Sequence, residues 1–148
     1  MDTIKAKFRA AGQLRIRIDR EDGTVERYLV NNRVLDLGEE FIASRMIGDT
    51  PAVVSHMAVG EGTTAVDPED TVLENELARV AVVASRVGNT VTYNAVFGAG
   101  VGTGPISEAG LLNAASGGTM TCRSVFGVKT KDPLDVVTIS WDNIIEAV

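Results

Sequence analysis

The sequence predicts a mainly β protein, an antiparallel β-sandwich of about seven or eight strands with one α-helix packed on it. Three observations predict this fold. Several short segments alternate apolar and polar residues, which is the period of a half-buried strand. Turn sequences rich in glycine and asparagine separate these segments. Apolar residues recur at clear helical spacing in one segment, and the length of 148 residues suits a single domain spanning 1–148.

The first two strands are predicted to form a hairpin. Residues 13–19 read Gln-Leu-Arg-Ile-Arg-Ile-Asp, so apolar and polar side chains alternate between two faces. Asp22 and Gly23 follow as a turn, where glycine adopts the positive φ that other residues resist. Residues 24–30 then return as the second strand.

The predicted helix follows Asn31 and Asn32. Its apolar residues recur every three or four positions, at Val34, Leu37, Phe41, Ile42 and Met46. Gly48 and Pro51 are expected to end it. Because so short a helix is not stable alone, its apolar side must pack on a sheet.

The chain after the helix predicts strands and turns. Strands are expected at residues 53–59, 79–87, 90–97, 106–113, 119–130 and 136–141. Gly88 and Asn89 form the turn of a second hairpin. Residues 98–104 contain too many glycines for a regular element and are expected to form a loop.

Composition excludes several classes of function. Twenty acidic and 14 basic residues give a net charge of -6, which argues against wrapping nucleic acid. Cys122 is the only cysteine, so it builds neither a disulfide scaffold nor a cysteine-based zinc site, and it suits a reducing compartment. No apolar stretch approaches the roughly 18–20 residues of a membrane span. We expect no cofactor, no metal, no nucleic acid and no membrane partner.

Two motifs invite a catalytic or nucleotide-binding interpretation. The loop 98–104 resembles a phosphate-binding loop in glycine content, but Pro105 and Ile106 stand where Gly-Lys-Ser/Thr would be needed. His56 is the only histidine and follows Ser55. Neighbouring residues on a strand point to opposite faces, so the sequence does not favour a Ser-His nucleophile pair here. A mobile or packing loop between strands, and a satisfied or surface histidine on a strand, are the favoured interpretations.

Acidic residues raise two further hypotheses. The carboxylates within residues 61–76 could bind calcium or magnesium, but their spacing matches no calcium loop, and a solvated loop is favoured. Glu108 stands inside an apolar segment, where a carboxylate needs a cation. We expect an ion pair with Arg79 or Arg123 rather than a general acid, since aromatic residues that could bind a sugar make up only 5% of the chain.

Several segments match a sequence pattern of a known class of proteins. Residues 105–113 read Pro-Ile-Ser-Glu-Ala-Gly-Leu-Leu-Asn, which is similar to the Ile-Thr/Ser-Glu-Ala/Val-Gly-Leu-Phe/Tyr-Asn core of tail-fibre and collar-type virion proteins of tailed bacteriophages. Leu112 stands where an aromatic residue is common. The resemblance extends to residues 56–65, 73–79, 93–100, 117–120, 123–126 and 137–141.

The resemblance implies a non-enzymatic structural protein of the phage particle, assembled in the host bacterial cytoplasm. Because the chain is much shorter than a tail fibre, we expect a standalone unit in the neck, the collar or the tail-fibre attachment region. Its partners would be copies of itself and other virion proteins. A capsid decoration protein is the alternative, and a small carbohydrate-binding or hydrolytic domain using Glu108 or His56 is less favoured.

An assembly surface is expected from this interpretation. The N-terminal segment 1–11 is either an arm that adds a strand to a neighbouring subunit or an edge strand of its own fold. The candidate interface residues are Ile4, Phe8, Met57, Arg79, Val101, Thr103, Ile106, Glu108 and Leu111.

Overall fold

The computed structural model describes residues 6–148 and confirms a mainly β fold with one helix. In chain order the elements are β1 (Phe8–Asp19), β2 (Val25–Asn31), β3 (Arg33–Val34), α1 (Asp36–Met46), β4 (His56–Gly60), β5 (Glu76–Ala81), β6 (Val83–Val87), β7 (Thr90–Phe97), β8 (Gly104–Leu112), β9 (Met120–Lys131) and β10 (Val136–Ala147). They form two five-stranded antiparallel sheets that pack face to face. Sheet A has the order β2-β1-β10-β7-β6, and sheet B has the order β3-β9-β8-β4-β5.

Both predicted hairpins are present. Gly23, at φ 88°, lies in the turn between β1 and β2, and Gly88, at φ 58°, lies in the turn between β6 and β7. Both glycines adopt the left-handed conformation that a tight hairpin turn requires.

The described strands number ten, which is more than the seven or eight predicted. One reason is β3, whose two residues carry no periodic pattern. The other is the predicted strand 79–87, which is divided at Val82. Its first part joins sheet B as β5 and its second part joins sheet A as β6, so the chain changes sheets within one extended segment.

The main core lies between the sheets. β1 pairs with β10 over its whole length, from Phe8 opposite Ala147 to Asp19 opposite Val136. Trp141 of β10 is fully buried at the centre. The buried residues of this core are Leu14, Ile16, Ile18, Val54, Met57, Val59, Ala95, Phe97, Ile106, Ala109, Leu111, Cys122, Val137, Ile139 and Trp141.

A second, smaller core lies on the outer face of sheet B. Residues 106–112 of β8 are buried at every position, so this strand is covered on both faces. The covering segment is residues 61–75, which place Leu73 against Leu112 and Met120. The cluster also contains Leu35 and Ala58.

Helix α1 packs on β9 through its first turn. The Leu35 N–H donates to the Thr121 carbonyl at 3.0 Å, and Gly38 is the buried residue of the helix. Gly48, at φ 73°, follows the helix, as predicted. Of the predicted apolar stripe, Phe41 is half-buried, whereas Met46 is 67% exposed.

Gly38 should not tolerate a side chain. A Cβ at Gly38 would lie 2.1 Å from the Thr121 backbone oxygen, which cannot rotate away. Gly38→Ala should therefore destabilise the protein by about 1–3 kcal/mol through overpacking, although alanine favours helix formation. Thermal unfolding followed by circular dichroism would measure this. The exposed Ala43 on the same helix supplies the control. Ala43→Gly should cost about 1 kcal/mol, as expected from helix propensity alone.

Candidate functional site

Glu108 forms the most extensively bonded polar site among the described residues. Its side chain is fully buried on the outer face of sheet B, beneath residues 61–75. Oε1 accepts the backbone N–H of Gly62 at 3.0 Å and that of Asn75 at 2.8 Å. Oε2 accepts the backbone N–H of Glu74 at 3.1 Å. One carboxylate therefore holds both ends of the covering loop, through hydrogen bonds strengthened by its charge.

Arg123 of β9 supplies the counter-charge. Its Nε and Nη2 donate to Glu108 Oε2 at 3.0 and 2.9 Å. Its Nη1 donates to Asp70 at 2.9 Å, and its Nη2 lies 3.7 Å from Glu74 Oε2. We call these four residues, Glu108, Arg123, Asp70 and Glu74, the Glu108 cluster.

The predicted ion pair of Glu108 is confirmed, and its cation is Arg123. The alternative cation, Arg79, pairs with Glu76 at 2.7 Å and donates to the carbonyls of Ala114 and Gly117. The structure therefore assigns separate roles to the two arginines. Arg123 anchors loop 61–75, and Arg79 anchors the turn between β8 and β9.

The acidic loop is more than a solvated loop. Asp70 and Glu74 turn towards Arg123, so part of the acidic stretch neutralises a buried cation. Glu61 accepts a hydrogen bond from the Asn75 side chain at 3.0 Å. These contacts explain why the acidic residues are concentrated in this loop.

Glycines allow the loop to approach Glu108. A Cβ at Gly62 would lie 2.5 Å from the Glu108 carboxylate, and a Cβ at Gly60 would lie 2.3 Å from the Asn75 oxygen. On β8, a Cβ at Gly110 would lie 2.7 Å from the Met120 sulfur and 3.1 Å from Leu73. Gly60, Gly62, Gly110 and Glu108 thus form one packed unit with the loop.

Ser55 and His56 contradict the expectation that neighbouring side chains point apart. Ser55 Oγ lies 2.8 Å from His56 Nδ1. The reason is that β4 begins at His56, so Ser55 precedes the regular pleat of the strand. Within residues 6–148 no carboxylate bonds to the His56 ring, so the pair lacks the group that orients a catalytic histidine.

The glycine-rich segment forms a loop between β7 and β8 over residues 98–103, whereas Gly104, predicted to belong to the loop, begins β8. Gly100, at φ 77°, and Gly102, at φ 68°, adopt left-handed conformations that explain the glycine content. The Gly100 N–H donates to the Pro133 carbonyl at 2.7 Å, and the buried Lys131 donates to the Gly98 carbonyl at 2.9 Å. Burial lowers the pKa of Lys131. The Gly98 carbonyl and the Gly100 N–H are therefore bonded within the protein.

Four of the predicted interface residues are buried inside the fold instead. Met57, Ile106, Glu108 and Leu111 are at most 2% exposed, so they cannot contact a partner in this fold. The apolar residues are buried because they face the opposite sheet, and Glu108 is buried because loop 61–75 covers it. The Arg79 side chain is only 11% exposed.

The exposed candidates do not form one surface. Phe8, 55% exposed, begins β1 opposite Ala147. Val101 and Thr103 are exposed in the loop that follows Phe97, which pairs with Val137. These positions lie at opposite ends of the strands of sheet A, on the order of 35 Å apart at 3.3 Å per residue. Ile4 lies outside the described residues.

The N-terminal segment 1–11 is described from Ala6 onward. Phe8–Ala11 belong to β1 and pair with β10, so for these residues the structure shows an internal strand rather than an arm.

An apolar cleft of about 490 Å³ opens between α1 and one end of sheet A. Sequence reasoning missed it because its walls come from separate strands and the helix. Its lining residues are Phe8, Ala10, Val34, Gly38, Phe41, Ile42, Arg45, Met46, Val54, Val91, Tyr93, Thr121, Cys122, Asn143 and Ile145. Cys122 is 1% exposed, and burial raises its pKa to about 11.

Cys122 should react very slowly with thiol reagents. A pKa of about 11 in place of 9.0 leaves about 100-fold less thiolate at neutral pH, and burial restricts access further. We expect labelling by Ellman's reagent to be slow in the native protein and complete within minutes in guanidinium. Fast native labelling would show that the cleft opens to expose the sulfur. A Cys122→Ala variant, which has no thiol, provides the control for background reaction of the reagent.

Comparisons of the chain with protein-family models, curated protein sequences and solved structures find no match.

Within residues 6–148, no group of three or more His, Cys, Asp or Glu is placed to hold a metal ion. No helix in this part of the chain is long and apolar enough to cross a bilayer.

Proposed function

We propose that this protein is a non-enzymatic structural component of a tailed-bacteriophage particle, an oligomeric unit of the neck, the collar or the tail-fibre attachment region. The Glu108 cluster is the observation that carries the proposal. Within the phage-like segments, Gly60, Gly62 and Gly110 lie where loop 61–75 meets sheet B, and Glu108 accepts hydrogen bonds from the backbone of this loop. The motif therefore has a structural purpose.

The bonding of Glu108 supports an assembly role over a catalytic one. A general acid or base needs a carboxyl oxygen that can reach a substrate proton. Both oxygens of Glu108 instead accept hydrogen bonds from Arg123 or the loop backbone, and the side chain is fully buried. An anchored loop on a two-sheet scaffold offers a rigid surface, which suits repeated contacts in a particle.

Imaging of intact particles tests the proposal. Particles would be purified from the bacterium that produces the protein, with a tag on the chain, and the tag located by electron microscopy. Labels at the neck, the collar or the fibre base would support the proposal. Labels distributed over the capsid surface with the symmetry of the capsid would indicate the alternative, a decoration protein.

A measurement in solution complements the imaging. Light scattering should show masses above the monomer as the concentration rises. A strictly monomeric protein that is also absent from purified particles would overturn the proposal.

A further inference from the structure

Strand β6 is the unprotected edge of sheet A. Among the described strands it pairs with β7 only, and all five of its residues are exposed. Val83 is 75% exposed and Val87 is 82% exposed. Their side chains lie on the outer face of the sheet, together with that of Ser85. On this face Val83 pairs with Asn94 and Val87 pairs with Thr90. An apolar edge of this kind is a template for pairing with another chain.

The opposite edge of sheet A is protected. The Ser124 hydroxyl donates to the Asn31 carbonyl at 2.8 Å, and the Lys129 ammonium lies 4.1 Å from the ring centre of Tyr28. These contacts tie β2 to β9 of the other sheet. β6 has only one charged side chain, Arg86, and its guanidinium bonds to the Gly88 carbonyl of its own hairpin at 2.8 Å.

We propose that β6 pairs with β6 of a second copy, antiparallel, about a two-fold axis through Ser85. The sequence Val83-Ala84-Ser85-Arg86-Val87 is self-complementary in this register. Val83 faces the second copy's Val87, and Ala84 faces its Arg86. Apolar pairs directly opposite each other stabilise a sheet.

Neighbouring two-fold registers are worse. An axis through Arg86 would place two guanidinium groups directly opposite each other, which is destabilising. An axis through Ala84 would pair Val83 with Ser85 and lose both contacts between valines. The side-chain pattern therefore selects the axis at Ser85.

The inference rests on the proposed function, because it names one contact between copies that an oligomeric virion component needs. A five-residue strand is short, and the pair would bury less than the roughly 1,200 Å² of a stable interface. We therefore expect a weak, concentration-dependent dimer in solution. Further contacts in the particle would strengthen it by raising the effective concentration.

Cysteine cross-linking tests the register. Residues that face each other in antiparallel strands have Cα atoms about 4.5–5.5 Å apart, within the range of a disulfide. Ser85→Cys should therefore form a disulfide-linked dimer under mild oxidation. Val83→Cys is the matched control on the same face, because its two copies would lie about 13 Å apart along the strands. The native Cys122 is buried and should not compete.

We expect Ser85→Cys to dimerise at least about tenfold faster than Val83→Cys, because only the former meets the distance limit. Equal rates, or no dimer from either variant, would overturn the inference. Oligomers by light scattering without a Ser85 cross-link would reject the β6 contact but leave the proposed function standing. A Ser85 cross-link in a protein absent from phage particles would support the contact and reject that function.

Discussion

Replacing Glu108 with glutamine should lower the free energy of unfolding by about 3–5 kcal/mol. The substitution leaves Arg123, whose side chain is only 3% exposed, without its one fully buried counter-charge among the described residues. It also turns one acceptor oxygen into an NH₂ group that faces other N–H donors, which cannot be satisfied in a buried site. For a chain of this size the melting temperature should fall by about 10–16 °C, measured by calorimetry or circular dichroism.

Glu146→Gln is the matched control for this prediction. Glu146 also pairs with an arginine, Arg9, at 2.8 Å, but both side chains are substantially exposed. Exposed ion pairs contribute little, so the change should stay within about 0.5 kcal/mol. If both variants lost the same small amount of stability, the buried cluster would not anchor the loop as described.

Gly62→Ala should destabilise the protein by about 2–4 kcal/mol, through overpacking and loss of a charge-assisted hydrogen bond. The new Cβ would lie 2.5 Å from the Glu108 carboxylate, which Arg123 holds in place. The loop would have to move outwards, which would break the bond from the Gly62 N–H to Glu108. Denaturant unfolding would measure the stability, and limited proteolysis would report on release of loop 61–75.

Gly98→Ala provides a control with the same chemical change. A Cβ at Gly98 would have nothing within 4 Å, and its φ is not in the left-handed region. Alanine there should be neutral or stabilise by up to about 1 kcal/mol, because it reduces the freedom of the unfolded chain. A Gly62→Ala protein as stable as this control would contradict the close packing of the loop.

Local periodicity predicted both hairpins, because the two strands and the turn of a hairpin are adjacent in the sequence. β1 from Gln13 onward and β7 alternate apolar and polar residues, and the turns of both hairpins contain the required glycines. β8 shows no such alternation, since it is buried on both faces. Its covering loop comes from a distant part of the chain, which a local pattern does not reveal.

The site was predictable in chemistry but not in geometry. A glutamate within an apolar segment was expected to pair with a cation, and Glu108 pairs with Arg123. The choice between Arg79 and Arg123 depended on strand order, because Arg123 lies on the strand beside Glu108. The predicted interface residues Met57, Ile106 and Leu111 are core residues, since an apolar residue in a motif is as suited to packing as to binding. The cleft beside α1 and the bare edge of β6 depend on which surfaces the whole fold leaves uncovered.

The place of β10 in sheet A determines when that sheet can form during synthesis. β10 is the central strand, paired with β1 on one side and β7 on the other, and it leaves the ribosome last among the described strands. Until then sheet A consists of two separate hairpins with exposed apolar faces, and its longest-range pairing, Phe8 with Ala147, is missing. Sheet A is therefore completed only after β10 has been synthesised, and nascent chains that stall before β10 should aggregate or bind chaperones.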